Sequence, residues 1–294
     1  MPPSSPAEAT AETSVADGSS ERVLLTSESG SPFRIAIDDY WRGYRRHELW
    51  VRLGWMEVKR RYRRTVLGPF WATGHIAVYI LCVGFVFSSV LATERDTYIP
   101  YLVTGFLAWM FIYNTLQEAG GAFTGASSLL QQIPFPYSMF VYMTIWRGLV
   151  VHVHNYVLYL AILLIYSVNP GWHLLLLLPG YALVLVNLVW MCMFLAAITA
   201  RFRDMQQLIA AIIQVMIFVT PIFWSPEMMS EMKRAIVLTP NLLYHLTIVL
   251  RAPLLGQTPP MLSYAVLSAT ALIGHLLTLR YFGKNRANII FWIS

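Results

Sequence analysis

Three polar residues stand out because they lie within an apolar run, residues 140–168, that is long enough to cross a membrane. They are Arg147, His154 and Asn155, and an arginine at the centre of a bilayer costs about 2.5–3.5 kcal/mol and usually faces protein or water. His154 follows Arg147 by seven residues and so shares its helical face. The spacing predicts a buried polar seam that joins helices or lines a path. Alternatively, Arg147 lies near the end of its span and extends its charge to the surface.

The sequence offers little else for chemistry. His152 lies two residues from His154 and points elsewhere on a helix, so the two do not form a metal pair. Cys82 and Cys192 fall in apolar runs, which predicts buried thiols with no disulfide or metal role. The sequence contains no Gly-x-x-x-x-Gly-Lys-Ser/Thr phosphate loop, so the usual ATP site is missing. We therefore expect no catalytic residue, no metal and no cofactor bound by this chain.

Basic residues concentrate at 42–64, directly before an apolar run, which indicates a cytoplasmic membrane anchor rather than a nucleic-acid site. This segment carries an apolar stripe and a basic stripe, each at helical spacing. The stripes are Val51, Trp55, Val58 and Tyr62, and Arg52, Lys59 and Arg63. We therefore expect residues 37–69 to be an amphipathic helix in the cytoplasmic interface, in contact with membrane lipids. A plain positively charged anchor without a lipid-facing stripe is the alternative.

Composition sets the environment in which these residues must be positioned. Hydrophobic residues make up 57% of the 294 residues, charged residues make up 12%, and the mean hydropathy is +0.55. A chain with so few charges cannot cover a surface that faces water, so lipid must surround it. Six apolar runs qualify as transmembrane helices. The predicted spans are 70–91, 99–116, 140–168, 174–199, 208–224 and 261–282.

The distribution of basic residues predicts the orientation. If both termini are cytoplasmic, the inner side receives the cluster at 42–64 and the basic residues at 201–203 and 280–286. The outer side then receives only Arg95, Lys233, Arg234 and Arg251. The positive-inside rule favours this arrangement of a multi-pass protein.

Three segments outside the spans complete the predicted organisation, an all-α membrane protein whose six-span domain covers 70–294. Residues 1–36 are rich in Ser, Ala, Pro and Glu, which predicts a disordered tail. The loop 117–138 has no Lys or Arg, which suits a surface covered by a protein partner, although a plain connector is also compatible. Residues 225–260 are expected to form two short re-entrant helices on the external side, between spans five and six, beside the exit of a path.

Four stretches taken together resemble the polysaccharide-export permeases of ATP-binding-cassette exporters, which export O-antigen, capsule, teichoic acid and cell-wall galactan. They are residues 59–71 (KRRYRRTVLGPFW), Arg147 with His154 and Asn155, residues 200–204 (ARFRD) with 220–222 (TPI), and residues 241–245 (NLLYH) with 251–256 (RAPLLG). Each stretch alone is a weak signal. All four occur in order, and the resemblance covers the chain from about residue 40 to its end.

This resemblance implies a homodimer of six-span permeases in the bacterial cytoplasmic (inner) membrane, with a lipid-linked glycan as cargo. It also implies two partner ATPase subunits that carry the ATP and Mg²⁺. The interface helix and the loop after the second span would then contact the ATPase. The residues assigned to this coupling are Arg60, Arg61, Arg64, Ser127, Ser128, Gln131 and Gln132.

The resemblance further implies a substrate path with an aromatic lining, because aromatic rings can pack against the C–H faces of sugars. The residues assigned to this lining are Phe70, Tyr79, Phe87, Phe218, Phe223 and Trp224. Packing against lipid or other helices is the alternative for any single ring.

Two other functions remain open. A drug or small-lipid exporter would have a similar architecture. A membrane-embedded glycosyl or acyl transferase would need clustered acidic or histidine side chains near the interface. Glu118 and Asp204 are the only acidic residues expected on the inner side beyond the N-terminal region, so the sequence disfavours a transferase.

Overall fold

A computed structural model describes residues 31–66, 68, 70–90 and 94–293, and its secondary structure there is helical. Eleven α-helices, which we number in chain order, lie in these ranges, joined by short turns that include single 3₁₀ turns. They are α1 (Pro32–Arg45), α2 (His47–Tyr62), α3 (Phe70–Val90), α4 (Arg95–Gly120), α5 (Ser127–Gln132), α6 (Tyr137–Ile165), α7 (Leu177–Arg201), α8 (Met205–Val219), α9 (Glu231–Leu238), α10 (Leu242–Leu254) and α11 (Met261–Trp292). The protein is an all-α membrane protein, as the sequence predicts.

Five helical segments are long and apolar enough to cross a membrane by themselves, and they correspond to predicted spans one to four and six. They are Thr73–Val90, Arg95–Gly120, Tyr137–Ile165, Gly171–Arg201 and Met261–Trp292. The helix of the fifth predicted span, α8, has only 15 residues, fewer than the roughly 20 that a straight crossing needs.

Helix α8 nevertheless follows α4 over nearly its whole length. At one end, Gln206 packs beside Gly120, the last residue of α4. At the other end, the Tyr98 hydroxyl near the start of α4 donates a hydrogen bond of 2.9 Å to the carbonyl of Phe223. The non-helical residues that follow α8 therefore extend along the part of α4 that this short helix does not reach.

The segment 220–224 is not helical, and side chains of other helices donate hydrogen bonds to several of its carbonyl groups. The Tyr101 hydroxyl lies 2.9 Å from the carbonyl oxygens of both Pro221 and Trp224. The Arg251 guanidinium donates a bond of 2.7 Å to the Pro221 carbonyl from α10. Irregular backbone at membrane depth is stable only where protein or water satisfies it, and here protein does so.

Helices α9 and α10 form a pair that is bent by 106°. Helix α10 begins beside the end of α8, where the Asn241 amide lies 3.1 Å from the Thr220 hydroxyl. It finishes beside the last turns of α6, where the Tyr159 hydroxyl donates a 2.8 Å bond to the Leu254 carbonyl. Both ends of α10 therefore lie at the same end of the bundle. This arrangement is a re-entrant loop, as the sequence predicts for 225–260.

The bundle has two ends, which we name by their charge. The basic end contains the last turns of α4 and α11 together with α1 and α2. The opposite end contains the first turns of α4 and the α9–α10 pair. Helices α7 and α11 pack closely along the core, where Gly274 lies directly under the Trp190 ring. Helix α3 packs mainly against α4 and α6 and leaves Leu81, Phe85 and Val90 exposed.

The N-terminal region differs in detail from the single helix expected at 37–69. Helix α1 begins at Pro32, because the Ser31 hydroxyl caps it by accepting the Arg34 N–H, and the chain bends at Arg46 before α2. Of the tail expected at 1–36, residues 1–30 lie outside the described residues. So do residues 67 and 69 of the expected break before α3.

Candidate functional site

Four charged side chains meet at the basic end and connect α2, α4 and α6. Glu118, in the last turns of α4, lies 2.6 Å from the Arg61 guanidinium of α2 and 3.3 Å from the Arg147 guanidinium of α6. Arg147 also pairs with Glu57 of α2. Burial alone would lower the pKa of Arg61, but its hydrogen bond to Glu118 and the nearby carboxylates raise it. We call these four residues the charge network.

The charge network lies at one side of a polar cavity of about 320 Å³ between α2, α3, α4 and α6. Gly148 allows α6 to approach α4 closely here, because a methyl group at this position would lie 2.4 Å from the Thr115 hydroxyl. The lining residues are Arg61, Tyr62, His75, Ile76, Met110, Phe111, Tyr113, Asn114, Glu118, Arg147, Gly148, Val151, His152 and Asn155. Polar side chains from four helices thus surround one space near the end of the spans.

The residues of the expected polar seam are divided between two places. Arg147 and Asn155 both line the polar cavity, and the Asn155 side chain bonds the Thr73 hydroxyl of α3 at 2.9 Å. His154 instead lines a separate apolar groove between α2 and α6, with its ring centroid 5.0 Å from that of Phe70. Val151 lines both spaces, so the polar cavity and the groove open on adjacent faces of α6. His154 lies on the face that borders the groove.

His152 takes the interior position that the spacing argument gave to His154. It is buried, and its Nε2 lies 2.6 Å from the Tyr181 hydroxyl of α7, which in turn lies 2.6 Å from the Tyr156 hydroxyl. In the ranges that the structure describes, no group of three or more His, Cys, Asp or Glu side chains is placed to hold a metal ion.

Four of the six rings assigned to the path form one cluster at the opposite end. Phe223 is buried at its centre, and its ring centroid lies 5.9 Å from Phe87, 6.1 Å from Phe218 and 6.5 Å from Tyr79. Phe106 of α4, which the sequence analysis did not single out, stacks on Tyr79 at 4.8 Å. We call these five residues the aromatic cluster. Phe218 is 66% exposed, so the cluster has one open side.

The two remaining rings lie apart from the aromatic cluster. Phe70, at the start of α3, contacts His154 and is 57% exposed. The Trp224 indole donates a 3.0 Å hydrogen bond to the Phe218 carbonyl, so it closes the end of α8.

The residues assigned to ATPase contact lie on two exposed segments of the basic end. Arg60, Arg61 and Arg64 are exposed at the end of α2 and just after it. Ser128, Gln131 and Gln132 are exposed on α5, and Ser127 is half-buried at its start. The charge network joins the first segment to the end of α4, from which the chain leads to the second.

The sequence analysis did not identify the structural roles of Asp39 and Arg251. Asp39 is fully buried on α1, where it accepts the N–H groups of Tyr137 and Ser138 and pairs with Arg286 at 3.1 Å. Its fixed position could not be seen from the sequence, because three donors on the distant helices α6 and α11 define it. Arg251, which was expected only to lie on the outer side of the membrane, is 1% exposed on α10, with its guanidinium 4.2 Å from the Tyr101 ring centroid.

Comparison with known proteins places this architecture in a family. The chain is 26% identical over 207 residues to the O-antigen export system permease protein RfbA of Myxococcus xanthus, covering 67% of this chain and 76% of that protein. It is 21% identical over 224 residues to the protein of the same name from Klebsiella pneumoniae, covering 76% and 85% respectively. Residues 48–255, from α2 to the end of the re-entrant pair, match the ABC-2 type transporter family. The chain belongs to the membrane-embedded ABC-2 type transporter family.

Proposed function

We propose that this chain is the membrane-spanning subunit of an ATP-driven exporter that moves a lipid-linked polysaccharide across the bacterial cytoplasmic membrane. The observation that carries the proposal is the family match over residues 48–255, joined by relatives whose names are O-antigen export permeases. The cargo would be an O-antigen, a galactan or a similar glycan. The distribution of charge supports cytoplasmic termini, because basic residues concentrate at the end of the bundle that holds α1 and α2.

The aromatic cluster and the charge network have different roles in this function. The aromatic cluster offers flat apolar faces on which sugar rings can stack weakly and then move on. The charge network transmits force, because it ties the helix expected to touch an ATPase to two transmembrane helices. A partner ATPase would supply the energy, since this sequence contains no phosphate loop of the usual form. A conformational change in that partner would reach α4 and α6 through α2.

Two copies of this chain would form the conduit. The aromatic cluster is open at Phe218, and α3 and α8 expose apolar faces on either side of α4. A second copy could close this side and bury those faces. The homodimer is therefore part of the proposal, with two ATPase subunits at the basic end.

Deletion of the gene tests the cargo assignment. We expect undecorated or lipid-linked polymer to accumulate inside the cell, and the surface polymer to return when the wild-type gene is supplied. A replacement gene with Tyr79→Ala and Phe218→Ala should restore membrane insertion but export little polymer. Its matched control, Leu178→Ala with Leu272→Ala, removes exposed apolar side chains from α7 and α11, away from the proposed contact between copies, and should export normally. Normal surface polymer in the deletion strain would contradict the proposed function.

Export of a drug or small lipid is the second candidate, and the same strains separate it from the first. A drug exporter predicts a change in drug sensitivity with unchanged surface polymer. The names of the relatives favour the polysaccharide.

A further inference from the structure

A second cavity, which the proposed transport path does not use, lies between α2 and α6. It is an apolar groove of about 450 Å³. Its lining residues are Trp55, Val58, Tyr62, Trp146, Leu149, Val150, Val151, Val153 and His154. We call it the α2–α6 groove. Val153 at its margin is 60% exposed, so the groove opens outward from the bundle rather than toward the polar cavity.

We place the groove at the level where the membrane meets water, because charged residues lie beside it. Its lining residue Trp146 is next to Arg147, which pairs with Glu118 in the last turns of α4. Tryptophan is enriched at this level, and the groove contains two, Trp55 and Trp146. From Val153, an exposed apolar stripe continues along α6 toward the opposite end. It consists of Val153, Val157, Leu160 and Leu164, which are 60%, 44%, 57% and 85% exposed.

The polar groups around the groove have the chemistry of a lipid head group site. The Nε1 of Trp146 and the Nε2 of His154 are buried without a hydrogen-bond partner among the described residues. Buried polar groups without partners are costly, so a ligand oxygen here would be stabilising. The Lys59 ammonium lies 5.7 Å from the Trp55 ring centroid and forms no ion pair within the described ranges.

We propose that the α2–α6 groove binds one phospholipid with an anionic head group. Its head group would lie beside Lys59, with its oxygens available to Trp146 and His154, and an acyl chain would follow the stripe that begins at Val153. The apolar lining and its continuation along α6 favour a lipid over a protein segment. The unpaired Lys59 ammonium beside the groove favours an anionic head group over a zwitterionic one. The bound lipid would fix α2 against α6, independently of what the transporter carries.

Native mass spectrometry of the full-length purified chain tests this site. The protein is placed in nanodiscs of phosphatidylglycerol and phosphatidylcholine, in equal amounts and with identical acyl chains. We expect one phospholipid per chain to survive activation, with phosphatidylglycerol favoured by about fivefold, as one basic residue near a head group would produce. Lys59→Gln should remove this preference, whereas Lys233→Gln, an exposed lysine at the opposite end, should keep it.

Two groove-filling variants test the location. Val153→Phe and Val150→Phe should each reduce the retained lipid at least tenfold, while Val186→Phe, on an exposed position of α7, should not. Val153 is exposed enough to accept a larger side chain without disturbing the core, so a folding defect would not obscure this result. Unchanged retention in Val153→Phe, or no preference for phosphatidylglycerol in the wild type, would overturn the proposal. So would a copurified peptide, or a polyprenyl-linked glycan, held in place of the phospholipid.

Discussion

Asp39 shows how one buried carboxylate can organise three helices. It lies on α1, accepts the first N–H groups of α6 at 3.2 and 2.9 Å, and pairs with Arg286 of α11. The first turn of a helix has unsatisfied N–H groups and a partial positive charge, so an acidic side chain stabilises it. Here the acidic side chain comes from another helix, which fixes α1 to the bundle.

Replacement of Asp39 by Ala should therefore destabilise the protein by about 3 kcal/mol, because it leaves two helix N–H groups and Arg286 without this acceptor. The control is Asp38→Ala on the next residue, which removes an exposed pair with Arg42 and should cost less than about 1 kcal/mol. Thermal unfolding of the two purified variants in detergent measures the difference. Equal melting temperatures would show that Asp39 does not anchor α1.

Arg147 allows a second comparison at the scale of single residues. Its side chain is 17% exposed and bridges Glu57 and Glu118, so Arg147→Ala leaves two partly buried carboxylates without this cation. We expect a loss of about 2 kcal/mol in the free energy of unfolding, and reduced export. Arg61→Ala removes a partner that is 53% exposed and should cost less than about 1 kcal/mol. If Arg147→Ala left folding, assembly and export unchanged, the charge network would have no role.

The sequence pointed to Arg147 but not to its partners. An arginine inside an apolar run is conspicuous, since its insertion is costly, and this alone predicts a protein or water environment. Glu57 was hidden within a strongly basic segment, and Glu118 was noted only as one of two acidic residues. Helical spacing also could not separate His154 from Arg147, because the groove and the polar cavity open on adjacent faces of α6.

At the scale of elements, the most extensive packing is between α7 and α11. A Cβ atom on Gly274 would lie 2.3 Å from the Trp190 ring, so the two helices can approach this closely only because glycine has no side chain. Small residues at helix interfaces are typical of membrane proteins, in which close packing must replace the hydrophobic drive between helices.

Gly274→Val should force α7 and α11 apart at a cost of about 1–3 kcal/mol, the usual range for overpacking a core. Gly74→Val is the matched control, because Gly74 lies in the helix α3 with no other atom within 4 Å of the added Cβ. We expect a lower melting temperature for Gly274→Val only. A similar decrease in both variants would mean that the substitution acts on the helices themselves rather than on their packing.

Most elements could be predicted because each long apolar run must form a helix in lipid. The fifth span was harder, since hydropathy does not reveal where a helix ends inside a membrane. Helix α8 ends at Val219, and the tyrosines of α4 help to stabilise the break that follows. Such partners lie more than a hundred residues away and cannot be read from local sequence.

At the scale of the whole molecule, the proposed homodimer makes a direct prediction about α3 and α8. One differently tagged copy carries Phe85→Cys and the other carries Val215→Cys, both with Cys82→Ser, so that only a link between copies bears both tags. We expect oxidation to join the two copies, because these exposed side chains flank the open aromatic cluster. Leu272→Cys on α11 is equally exposed and should not pair with Val215→Cys. Cross-linking through α11 instead would place the second copy on the wrong face.

The hydrogen bonds of segment 220–224 also limit how the molecule can move. Tyr98, Tyr101 and Arg251 donate hydrogen bonds to carbonyl groups of this largely buried segment. Sliding α8 along α4 would leave several of these carbonyl groups without a hydrogen-bond donor at once. Each unsatisfied group would cost about 1–3 kcal/mol. We therefore expect α4, α8 and α10 to move together as one rigid body. Any opening should then form between this body and the neighbouring helices rather than within it.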